Sequence, residues 1–187
     1  MVAPLEEHPM NLVNGLPAHV LFVHFVVVLV PLSALALVAG AIWPKAARRM
    51  GLILPVLAFV TLACVPLTTH AGEWLERHVD SDPLVRRHTE LGDGLLPWVA
   101  GLFVLAAVVW WTTRRTAAQQ TGSSDTPQTG STATAGTRGG AAVRVVAAVL
   151  SIAVAAGAVF DLYRIGDSGA KAAWHDAYSQ TATGHGD

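Results

Sequence analysis

The chain has 187 residues, of which 52 % are hydrophobic and 13 % are charged, and its formal net charge is −1. This composition is too apolar for an ordinary water-soluble domain of this length. The sequence holds no basic patch interleaved with aromatic residues, so we expect no nucleic-acid partner. A single cysteine, Cys64, excludes an internal disulfide. Together these features predict one membrane domain over residues 1–187.

The first apolar stretch, residues 18–43, holds no Asp, Glu, Lys or Arg. A helix rises about 1.5 Å per residue, so about 20 such residues cross the hydrocarbon core of a bilayer. Glu6 and Glu7 precede this stretch where a signal peptide would carry basic residues. We therefore expect the stretch to be retained as a membrane span.

Further apolar stretches predict three more spans, at residues 50–70, 91–112 and 143–163. The intervening residues 71–90 are the most charged part of the chain, and we expect a short interfacial helix there, broken at Asp82-Pro83. Residues 114–142 are rich in Thr, Ser, Gly, Ala and Gln, which is typical of a flexible low-complexity linker. The predicted fold is an all-α integral membrane bundle of four transmembrane helices.

The distribution of charge indicates an orientation for these spans. Four antiparallel spans place both termini and the loop between spans two and three on one side of the membrane. Seven of the twelve Lys and Arg residues lie on the opposite side, which the positive-inside rule assigns to the cytoplasm. We therefore predict a plasma-membrane protein with extracytoplasmic termini and a cytoplasmic linker. All eight histidines then belong to the outer side.

Four histidines at predicted helix ends are the main candidates for function: His19, His24, His70 and His88. Neutral imidazole binds transition-metal ions, and two imidazoles on facing helices can ligate a haem iron. His19 and His24 are five residues apart and point about 140° away from each other on a helix. We expect the deeper one, His24, to face inward. The first hypothesis is a b-type haem bound by His24 and His88, with His19 as a further candidate ligand, in electron transfer or sensing.

Other functions fit the same residues. A metal-ion binding or transport component would use His19, His24, His70 and Glu73. The histidines of an interfacial region also commonly hydrogen-bond only headgroups and water. Asp161, an acid at membrane depth, is expected to pair with Arg164. No HExxH or CxxC motif is present, and we do not expect an enzyme.

A third function is a non-catalytic scaffold subunit. The small residues Ala147, Ser151 and Ala155 recur every four positions and would let a partner helix approach closely. Such a subunit would belong to a membrane complex, whereas a haem protein would have a redox partner. The sequence does not indicate an oligomeric state.

Four segments resemble one family of small bacterial membrane proteins, domain of unknown function 2231: NGLPAHVLFVHFVVVLVPLSAL, TTHAGEWLERH, RRHTELGDGLLPW and DLYRIGDSGAKAAW. The resemblance implies four membrane helices with a pair of histidines on the first. Positions that match the family motifs are His19, His24, His88, Gly92, Tyr163, Gly166 and Gly169, whereas His70 falls at a variable position. Val20 and Val26 stand where the family usually has prolines. We expect Gly166 and Gly169 to mark turns after the fourth span.

Overall fold

Six helices and one short strand pair make up the described part of the chain. The computed structural model describes residues 12–13, 16–77, 82–122 and 133–174, with side chains over 18–77, 82–119 and 142–174. The helices are α1 (Ala18–Ile42), α2 (Pro44–Met50), α3 (Ile53–Glu76), α4 (Pro83–Asp93), α5 (Leu95–Gly122) and α6 (Ala133–Trp174). Before them, β1 (Leu12–Val13) and β2 (Leu16–Pro17) pair antiparallel.

Four helical segments are long and apolar enough to cross a membrane: Ala18–Ile42, Ile53–Glu76, Pro83–Gln119 and Ala142–Trp174. Helix α1 packs against α3 and α6, and α5 packs against the same two helices. The prediction of a four-span helical membrane protein is confirmed. The predicted orientation of the termini is not tested by this arrangement and stays a prediction.

The helix boundaries follow from local sequence. Pro44 begins α2 directly after Trp43, whose backbone is extended. The first residue of a helix has no intrahelical partner for its N–H, so proline, which has no N–H, is well suited to this position. Gly51 ends α2 with φ +52°, a left-handed conformation that favours glycine. Asp82 caps α4 by accepting a 2.8 Å hydrogen bond from the Leu84 N–H, and Pro83 follows. The break predicted at Asp82-Pro83 is therefore the start of α4.

Three stretches differ from the elements predicted for them. Residues 71–76, expected to belong to a separate interfacial helix, are the end of α3. Gly166 and Gly169 lie inside α6, so the turns predicted there are wrong. Glycine costs a helix interior only about 1 kcal/mol relative to alanine, and packing on α4 outweighs that cost. Helix also covers 114–122 and 133–142 of the predicted linker, while 123–132 lie outside the described residues.

Small residues are buried between the helices together with several Leu and Val side chains, while other large apolar side chains lie on the outer surface. Ala34, Ala58 and Ala158 are buried, whereas the Phe25 and Leu35 side chains lie on the outer surface. Lipid is as apolar as leucine, so close contact between small residues holds such helices together. Between α1 and α3, the hydroxyl groups of Ser33 and Thr61 lie 2.7 Å apart and form a buried hydrogen bond.

The stripe predicted to bind a partner helix is used within this chain. Ser151 is fully buried and Ala155 is buried beside it, on the side of α6 that packs into the bundle. Gly157 on the same helix lies against the Trp98 ring of α5, where an added Cβ would come within 2.2 Å of a ring carbon. The close approach that small residues permit is therefore made between α6 and its own neighbours at Ser151 and Ala155, whereas Ala147, the third residue of the stripe, is half-buried.

Candidate functional site

A cavity of about 410 Å³ lies at the end of the bundle where α1 begins and where α3 and α6 end, with α4 beside it. Its walls are largely aliphatic and are contributed by Val20, Val23, Val26, Val27, Val65, Leu95, Leu162 and Ile165. The titratable side chains that line it are His19, Glu73, His88 and Asp93. This volume falls in the range of about 300–1,000 Å³ that is usual for small-molecule and cofactor sites.

His19, on the first turn of α1, is held by helix α3. Its half-buried ring donates the Nδ1–H to the backbone carbonyl of Thr68, at 3.0 Å. A carbonyl oxygen only accepts hydrogen bonds, so the proton of a neutral His19 ring is on Nδ1. The other ring nitrogen, Nε2, then carries a lone pair.

His88, on α4, is held in the same way by helix α6. Its Nδ1–H is directed at the carbonyl of Ile165, at 3.1 Å, and at the Ser168 hydroxyl oxygen, at 3.0 Å. The Ser168 hydroxyl donates its own proton to the Ile165 carbonyl at 2.8 Å, so its oxygen is free to accept from the imidazole. Nε2 of a neutral His88 ring is therefore unprotonated as well.

The two rings, which we call the inner pair, lie next to each other in the lining of the cavity, edge to face. Their centroids are 6.2 Å apart and their planes are nearly perpendicular, at 84°. Histidines that ligate metals usually donate the second ring N–H to a carbonyl or carboxylate, which sets the tautomer and the direction of the ligating nitrogen. Both members of the inner pair have this arrangement, with helix α3 orienting one ring and helix α6 orienting the other.

Each ring of the inner pair lies against a glycine of the helix that holds it. A Cβ added at Gly72 would come within 3.1 Å of the His19 ring, and one added at Gly169 within 2.9 Å of the His88 ring. Such distances are shorter than ordinary van der Waals contacts, so any larger residue would push the ring away. Gly166, one turn from Gly169, has open space at the same position.

The other two candidate histidines, the outer pair, point away from the cavity. His24 has an exposed side chain that donates from Nδ1 to the carbonyl of Val20 in its own helix, at 2.6 Å. The prediction that His24 faces inward is wrong, since the packing of α1 turns His19 to the interior. The His70 side chain is 79 % exposed and lies 4.0 Å from Glu73.

The predicted four-residue metal set is therefore not assembled around one point. His19 lines the cavity with Glu73, whereas His24 and His70 do not. Over the described residues, no group of three or more His, Cys, Asp or Glu side chains is placed to hold a metal ion. His8, His78, His175 and His185 lie outside the described residues.

Asp161 and Arg164 form the ion pair that their spacing predicts. The Asp161 Oδ1 lies 3.6 Å from an Arg164 guanidinium nitrogen. Asp161 is only 8 % exposed, and its second oxygen, Oδ2, is buried without a hydrogen-bond partner among the described residues. That oxygen points toward Gly94, between α4 and α5, where an added Cβ would lie 3.4 Å away. The pair stands beside the cavity and does not line it.

Several residues of this site could not be predicted from the sequence, because their side chains do not mark them as functional. Thr68 and Ile165 contribute backbone carbonyls, which every residue carries, and Ser168 is one of many serines. Gly72 and Gly169 are recognisable only as glycines within apolar or helical surroundings. For Gly169 a signal did exist, since it matches a motif position of the family that the sequence resembles.

The comparison with protein families agrees with this architecture. A family model described as predicted membrane protein, DUF2231, matches residues 15–182, which is most of the chain. Among curated proteins and among solved structures, none matches this sequence.

Proposed function

The chain belongs to the DUF2231 family of predicted membrane proteins, and from that premise we propose that it binds a b-type haem through His19 and His88. The observation that carries the proposal is the shared geometry of the inner pair. Each imidazole donates Nδ1–H to a carbonyl of another helix, and so each presents a bare Nε2 beside the same cavity. This revises the ligand set that the sequence suggested, with His19 in place of His24.

The number of protein ligands favours haem over a bare metal ion. The porphyrin supplies four nitrogens to the iron, so the protein needs to add only one or two axial ligands. A zinc site normally takes three or four ligands from side chains. The inner pair offers two, and no third ligand completes a cluster among the described residues.

The two rings lie together beside the cavity, with centroids 6.2 Å apart. His19 and His88 would therefore hold the group from neighbouring positions on two different helices. The aliphatic walls of the cavity would pack against the apolar macrocycle, and its volume is far larger than one ion needs.

A haem at this position would exchange single electrons close to one membrane face. His19 and His88 would hold the group, the carbonyls of Thr68 and Ile165 would orient the two rings, and the valines of α1 would exclude water. Hydrogen bonds to the second nitrogen make an imidazole a stronger ligand. Electron transfer or redox sensing is the function that these properties serve.

An absorbance spectrum of the full-length protein, expressed with added haem precursor and purified in detergent, tests the proposal. The wild-type protein should show a Soret band, and His19→Ala and His88→Ala should each reduce it severely. His24→Ala is the matched control, because it removes an imidazole from the same helix as His19 and should leave the band unchanged. Absence of the band, or equal loss in the His24→Ala variant, would contradict the proposal.

Elemental analysis of the same preparations distinguishes a haem site from the metal-ion site that the sequence also suggested. If the protein contains stoichiometric zinc or copper but no haem, and the His19→Ala variant loses that metal, the inner pair binds a metal ion and not haem. Glu73 and Asp93, which line the same cavity, are the carboxylates available to such a site.

A further inference from the structure

A second concave site lies between α4 and α6. It is a cleft of about 130 Å³, lined by Arg87 of α4 and by Tyr163, Arg164, Asp167 and Lys171 of α6. The cleft has room for roughly four water molecules, at about 30 Å³ each. Nothing in the haem proposal uses it.

Positive charge predominates in this cleft. Three cationic side chains line it with one carboxylate, which leaves a formal charge of +2. Asp161, which pairs with Arg164 from behind the cleft, reduces the balance to +1. Lys171 already contacts Asp167 at 2.6 Å. Among the described carboxylates, none is ion-paired with the guanidinium of Arg87.

The position of the cleft favours an anion at the membrane surface. Tyr163 is largely exposed and is the last residue of the apolar stretch 143–163, and tyrosine is enriched at the membrane–water interface. Leu84 and Leu91 form an apolar wall of the same cleft. Arginine matches phosphate oxygens with two parallel hydrogen bonds, so the cations of this cleft suit an anionic phosphate group.

We propose that the α4–α6 cleft binds an anionic phosphate group through Arg87, Arg164 and Lys171. In an anionic lipid, acyl chains lie next to the phosphate. The leucine and tyrosine side chains beside the cations would contact the first carbons of such a chain. Free inorganic phosphate presents the same oxygens and is the other source to be distinguished. Ser168 lines this cleft and also contacts His88, so the site adjoins the inner pair without sharing a cation with it.

Native mass spectrometry of the full-length protein tests the cleft with three probes: phosphatidylglycerol, phosphatidylcholine and inorganic phosphate. Each basic residue near a membrane surface contributes roughly a fivefold change in affinity for anionic lipid. The double variant Arg87→Gln/Lys171→Gln should therefore bind phosphatidylglycerol about 25-fold more weakly. Arg86→Gln is the control, because Arg86 neighbours Arg87 on α4 but pairs with Glu90 and does not line the α4–α6 cleft.

The charge-preserving variant Arg87→Lys/Lys171→Arg should retain most of the binding, which shows that a loss in the glutamine variant reflects charge and not folding. Preferential binding of phosphatidylglycerol identifies a lipid site, and binding of inorganic phosphate alone identifies a soluble anion site. Equal binding of phosphatidylglycerol and phosphatidylcholine with no phosphate binding would overturn the proposal. An equal loss in Arg86→Gln and in the double variant would do the same.

Discussion

The inner and outer pairs of histidines share one end of the bundle but have opposite surroundings. His19 and His88 donate to carbonyls of other helices, lie against glycines and line a cavity. His24 donates within its own helix, and His70 is largely exposed beside Glu73. The comparison teaches that histidines near the same end of the bundle need not have the same surroundings. The contacts between helices decide which rings are held in place and line the cavity.

The largest effect is expected from substituting a glycine that lies against a ring of the inner pair. Gly169→Val would force the His88 ring away from α6, and overpacking of this kind costs about 1–3 kcal/mol in the free energy of unfolding. Gly166→Val introduces the same residue into the same helix but into open space, so its intrinsic effect on helix stability is matched. Chemical unfolding in bicelles measures both. Equal destabilisation would show that the close approach to His88 is not what matters.

The hydrogen bonds of the two histidines on α1 should differ less, but measurably. His19→Ala removes a bond that joins α1 to α3 and is expected to cost about 1 kcal/mol of unfolding free energy. His24→Ala removes only a bond within α1 and should cost less. Both variants are to be compared in protein expressed without added haem, so that ligand binding does not contribute. A larger loss in His24→Ala would reverse the assignment of inner and outer residues.

The smallest effect is expected at His70, the member of the outer pair that lies beside Glu73. His70 and Glu73 are 4.0 Å apart with most of both side chains accessible, and exposed pairs of this kind contribute little to stability. His70→Ala should therefore leave both the unfolding midpoint and the Soret absorbance unchanged. A substantial fall in absorbance would instead place His70 at the site.

Part of the candidate site could be predicted from sequence because it depends on local features. The spacing of His19 and His24 predicts that they lie on different faces of one helix, and the structure agrees. Which of the two faces inward was predicted wrongly. Helix α1 is apolar on nearly every side, so its sequence contains no polar face from which to infer its rotation.

The amino-acid sequence by itself determined four apolar helical spans and a helix boundary at Asp82-Pro83, since span length and proline chemistry act locally. Only the tertiary structure decided that His19 meets His88, which lies 69 positions further along the chain. That contact depends on the order and rotation of packed helices. Gly72 and Gly169 permit it through the close approach of side chain and backbone, and no single segment encodes that approach.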